Sequence, residues 1–114
     1  MINARETPVR IPGYRHIQNA QLISRLEGDG NYTLIYLRDA VRPLLVSQTL
    51  KYFECQLPNF LRVSKSLLIN PVVVDHIVRL DAKTVHLHLL DCGQVTVSRR
   101  RVVTIMARLA KLAD

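Results

Sequence analysis

The sequence is short of acids. It carries 9 Asp and Glu against 16 Lys and Arg in 114 residues, a formal net charge of +7. The pI is near 10.0. A basic domain of this size points to nucleic acid, a membrane surface or an acidic partner. Other shortages narrow the choice. No apolar run approaches the length of a bilayer span, so no membrane insertion is expected. Met1 to Pro8 lacks the apolar stretch of a secretory signal. Cys55 and Cys92 stand alone without CxxC spacing and read as reduced thiols of a cytoplasmic protein.

Reaction chemistry is missing as well. Gly28-Asp29-Gly30 is too short for a nucleotide-binding fingerprint. No serine-nucleophile motif is present. His86 and His88 lie two apart and share one face of a strand, yet no Cys, Asp or Glu at ligand spacing completes a metal site. His16 and His76 are isolated, and Cys55 has no histidine or acid at motif spacing. No catalytic residue, metal or cofactor is expected, and the chain reads as no enzyme.

What is present is a folded domain. Hydrophobic residues make up 48% of the chain, too many for a basic tail. The length suits a flexible N-terminal arm over 1–8 and one domain over 9–114. Val9 to Ile11 and Tyr14 to Ile17 read as short strands around Pro12-Gly13. Ala20 to Leu26 reads as a strand, and Gly28 to Asn31 as a turn. Tyr32 to Leu37 is rich in β-branched and aromatic residues and predicts a strand, with Arg42 to Val46 returning. Ser47 looks like a helix cap, with Leu50, Phe53 and Leu57 on one face and Pro58 as the stop. Phe60 to Val63 and Leu67 to Asn70 are extended pieces separated by Ser64-Lys65-Ser66. Val72 to Leu80, then Val85 to Leu89, then Gln94 to Val97 complete the strands, with Val85, Leu87 and Leu89 on one side of theirs.

The C-terminal segment breaks a local rule. Val102, Ile105, Leu109 and Leu112 recur at helical spacing, and Ser98 reads as the N-cap. Arg99, Arg100 and Arg101 then occupy a first turn that favours acids, at a cost of a few tenths of a kcal/mol or more. A polyanion would compensate, because free N–H groups, the helix dipole and guanidinium forks all favour phosphate.

Four segments, in this order, resemble the LytTR DNA-binding domain family of bacterial transcription regulators. Leu26-Glu27-Gly28-Asp29-Gly30-Asn31-Tyr32-Thr33 is similar to the family's hydrophobic-Glu-x-x-x-Asn-Tyr-Thr segment. Ser47 to Glu54 is similar to its Ser-Leu-Lys-x-hydrophobic-Glu helix. Phe60 to Asn70 resembles its Phe-x-Arg-x-His-Arg-Ser-x-hydrophobic-Val-Asn core, with Ser64 and Lys65 departing from the usual residues. Val95 to Arg101 resembles its Val-Ser-Arg-Arg segment. The resemblance covers about residues 20 to 110.

It implies a mainly β fold, an elongated stack of small antiparallel sheets with a short mid-chain helix and a C-terminal helix. It also implies loops that enter successive major grooves of double-stranded DNA and bend it, two copies per site on direct repeats. Asn31, Lys65 and Arg100 would read bases: an Asn amide pairs with adenine, and Lys can donate to guanine or phosphate. Arg99 and Arg101 would contact the backbone, with Arg62, Ser64 and Ser66 completing the set. Lysine at 65 lacks the arginine fork, so phosphate affinity is expected there more firmly than base preference. The length leaves no room for the receiver domain most family members carry, so a stand-alone domain is expected, with a regulator or sensor protein as a further partner. The competing expectation is a protein-interaction module that antagonises or tethers a regulator without specific DNA readout. Its mark would be an exposed apolar patch around Val72-Val73-Val74 or Met106, Ala107 and Ala110.

Overall fold

The computed structural model describes residues 8–91 and 93–113. Residues 1–7 of the expected arm and the second cysteine, Cys92, lie outside the described residues. Two antiparallel sheets carry the fold. The first holds β1 (Ile23–Asp29), β2 (Tyr32–Leu37), β3 (Leu44–Val46), β4 (Leu61–Ser64) and β5 (Leu67–Ile69), in the order β3-β2-β1-β5-β4. The second holds β6 (Val74–Asp81), β7 (Thr84–Leu89) and β8 (Gly93–Thr96) in sequence order. Helix α1 (Leu50–Gln56) lies between β3 and β4, and α2 (Val102–Ala113) closes the chain.

The first sheet is a partition between two cores. Side chains alternate across a strand, so a strand apolar on both faces can serve both sides. Leu26, Ile35 and Leu68 face one core, closed by Leu50 and Phe53 of α1, by Leu57 just after it, and by Val9, Ile11 and Ile17. Leu61, Val63 and Ile69 face the other, closed by Val85, Leu87 and Leu89 of β7 and by Val102 and Ile105 of α2. On β4 the alternation frees one basic side chain from the second core. Leu61 and Val63 are buried there, while Arg62 between them turns toward α1 and meets Glu54.

Several local expectations change. Residues 9–17 form no strands; Val9 N–H donates to Gln18 O at 3.0 Å, and Pro8 bridges Asn19. The segment turns back on itself instead, with Gly13 at φ +88°, and buries its aliphatics as a plug. Ala20–Leu22 is a 3-10 turn capped by Asn19, so β1 starts at Ile23 and runs beyond Glu27 to Asp29. The α1 cap is Thr49, whose hydroxyl accepts from Tyr52 N–H at 3.2 Å, and not Ser47. Pro71–Val73 is a 3-10 turn capped by Asn70, which delays β6 to Val74. Asn70 also donates from its amide to Ile23 O at 2.9 Å, a fully internal role.

The C-terminal junction differs most. Arg99–Arg101 form a 3-10 turn ahead of α2, and Ser98 makes no side-chain cap bond. Its hydroxyl is buried with no partner among the described residues.

Candidate nucleic-acid interface

Sheet order brings the turn with Asn31, the turn with Lys65 and the arginine turn to one edge. β1 runs toward Asp29, β5 runs back from Leu67 beside it, and β4 runs out again to Ser64. The β1–β2 turn with Asn31 and the β4–β5 turn with Lys65 therefore share one end of the first sheet. Gly28 N–H donates to Ser66 O at 2.8 Å and joins the two turns directly. Ser98 N–H donates to Val63 O at 2.7 Å, which sets the arginine turn beside the end of β4. Asn31, Lys65, Arg99, Arg100 and Ser66 are exposed, while Arg101, Ser64 and Arg62 are half-buried.

Each turn has a local cause. In the first, Gly30 alone takes the left-handed conformation, at φ +59°. Asn31 is thus not required by the backbone there, and its amide stands exposed next to the bend. In the second, Ser64 Oγ accepts from Ser66 N–H at 3.3 Å, the self-bonded turn that serine favours. Arg62 grips the same turn: its Nε donates to Ser64 O at 2.8 Å and a terminal nitrogen donates to Lys65 O. Its other terminal nitrogen donates to Glu54 Oε1 at 2.7 Å. Arg62 is thus bonded three times within the protein, whereas Lys65 itself presents an exposed ammonium group.

The surroundings hold two acids that no sequence motif marks. Asp81, at the β6–β7 hairpin, has its carboxyl below the usual range. The Lys83 backbone N–H is the main cause, the Thr84 hydroxyl adds to it, and the positive charge of Arg99 contributes. Arg99 therefore has a carboxylate in its field. Asp91, in the turn before β8, accepts from the buried Ser24 hydroxyl at 2.5 Å and lies 3.9 Å from Arg25. Arg25 stacks over Tyr36 at 3.7 Å from the ring centre. The Tyr36 phenol is pushed above its usual value, chiefly by hydrogen bonding to Glu27 and next by burial. This cluster ties the second sheet to the first. No sequence spacing signals it, since Ser24 and Asp91 are 67 residues apart.

Other candidate surfaces are less continuous. Val73 is buried, so the 72–74 run forms no patch. Ala107 and Ala110 are exposed, but Met106 packs against the second core. His76 and His88 stack at 4.2 Å between ring centres. Among the described residues no group of three or more His, Cys, Asp or Glu is arranged to hold a metal ion. No helix among them is long and apolar enough to cross a membrane.

The family model of the LytTr DNA-binding domain matches residues 15–110. A comparison with curated protein sequences finds no match. Among solved structures, the chain is similar to a LytTr DNA-binding domain of a methyl-accepting/DNA response regulator from Bacillus cereus. The TM-score is 0.68 at 20% identity, over 80% of this chain and 84% of that one. At that identity the likeness concerns the fold.

Proposed function

Because the chain belongs to the LytTr DNA-binding domain family, we propose that its basic edge reads a specific double-stranded site in transcription control. The observation that carries this reading is the hydrogen-bonded convergence of the Asn31, Lys65 and Arg100 loops. Asn31 and Lys65 read base edges from neighbouring turns about 10 Å apart, two strand spacings. Arg100 reads from the strand–helix junction, and Arg99 and Arg101 hold the phosphate backbone with Ser64 and Ser66. The long dimension of the molecule is 42 Å, against about 34 Å for one turn of duplex. Contact with successive major grooves of a bent duplex is what the family resemblance implies for this edge. Two copies on direct repeats form the complete site, and a regulator or sensor protein supplies the input.

The test is selection from a random duplex pool at near-physiological salt, followed by sequencing. Enrichment of a repeated motif is expected. Retention of the pool with no motif would reduce the domain to non-specific phosphate binding. No retention would transfer the edge to protein interaction. Salt separates the same readings: binding through several phosphates weakens steeply as salt rises, and apolar association does not.

A further inference from the structure

We propose that Arg62 and Glu54 form a positioning pair that sets the shape of the 64–66 turn, and with it the domain's sequence preference. The inference rests on the reading of that turn as a DNA-contacting loop. Four backbone polar groups of the turn are tied within the protein. The Ser64 and Lys65 carbonyls both accept from Arg62, and the Ser66 carbonyl accepts from Gly28 N–H. The Ser66 N–H is taken by the Ser64 hydroxyl. A three-residue turn held in this way is ordered before any ligand arrives, which removes an ordering cost from binding. The planar guanidinium is suited to this task, because it holds several acceptors at once in a fixed fork.

Arg62 is in turn fixed from behind. Its side chain is 18% exposed and Glu54 pairs with it at 2.7 Å. Glu54 stands on α1, whose Leu50 and Phe53 are locked into the first core, with Leu57 just beyond them. The turn is therefore referenced to a rigid element through one ion pair. This also accounts for an acid placed directly behind a basic edge. By charge alone it would weaken attraction to DNA. As the partner of Arg62 it directs the guanidinium fork inward, toward the carbonyls, and leaves Lys65 to face outward.

The two roles predict opposite signs. Glu54→Gln adds one unit of positive charge to the protein, so electrostatics alone strengthens DNA binding. The positioning role instead weakens binding to the selected motif, on the order of tenfold, the value of one well-placed base contact. Binding to scrambled duplex is expected to hold or rise. Arg62→Gln supplies the second variant. A phosphate contact removed would lower the slope of log K against log salt by about one, whereas a lost positioning residue leaves the slope unchanged and flattens the motif. Circular dichroism and urea unfolding check that both variants fold; Glu54→Gln, a conservative change at a half-exposed site, carries the test if Arg62→Gln does not. Unchanged or tighter motif binding by Glu54→Gln overturns the proposal, as does a reduced salt slope in Arg62→Gln. If the native protein enriches no motif, the reading of the edge fails and this proposal with it. That outcome is distinct from a selective native protein whose Glu54→Gln variant selects equally well.

Discussion

Arg100 and Ser98 sit two residues apart, yet they make opposite predictions. Arg100 is exposed at the edge shared by the two turns. Its replacement by Ala is expected to weaken binding to the selected motif by about 1–3 kcal/mol, the range for an arginine that reads a base. Titration of labelled duplex checks this, and unchanged affinity would remove Arg100 from the site. Ser98 has the sequence position of a helix cap, but its hydroxyl is buried without a partner among the described residues. A true cap loses about 1 kcal/mol on change to Ala. Here a buried, unpaired hydroxyl is removed, so Ser98→Ala is expected to leave stability unchanged or to raise it. Urea unfolding decides, and a loss near the cap value would show that the hydroxyl has a partner after all. At this scale the sequence showed which side chains are basic and which could cap. It did not show that Arg62 turns its fork on the protein, because Glu54 and Arg62 meet only when α1 is packed on the first sheet.

At the scale of elements, alternation and composition located most strands. Tyr32 to Leu37 is a strand with the expected bounds, and Val85, Leu87 and Leu89 are buried on one face of β7. The failures have local causes. Residues 9–17 have strand-like composition, but they fold as a plug because their aliphatics are buried in the first core and find no ladder to join. Ser47 and Thr49 are both hydroxyl residues before an apolar turn, and only the backbone path selects Thr49. Gly28 shows how elements constrain each other. A Cβ added there would lie 2.9 Å from the Leu50 Cβ at the start of α1. Since a Cβ cannot move aside like a side-chain tip, Gly28→Ala must displace α1 from β1. The expected loss is about 1–3 kcal/mol of stability, the usual cost of overpacking. Because α1 carries Glu54, motif selection is expected to loosen as well. A variant as stable and as selective as the native protein would mean that the contact yields without consequence.

For the whole molecule, the decisive feature is that one sheet separates two cores. Leu68 on one face and Ile69 on the other are both fully buried. The relation of the two halves is held by packing and by the Asp91 carboxylate, which receives the buried Ser24 hydroxyl. Asp91→Ala would strand that hydroxyl, at about 1–3 kcal/mol. The Ser24→Ala/Asp91→Ala pair is expected to be less damaging than the sum of the single changes, because the second change removes the stranded group. Strict additivity in urea unfolding would show that the two residues do not interact.

The chain by itself determined a basic, mainly β fold with a helix at mid-chain and another near its end. Periodicity and charge are local properties, and the ordered motifs were enough to indicate the family. Tertiary structure alone decided which polar and basic residues meet. Asn31, Lys65 and Arg100 are scattered along the sequence, and they share an edge because β5 pairs between β1 and β4. Hydrogen-bonded strand order is a long-range choice made by two cores closing at once, and no local pattern of residues encodes it.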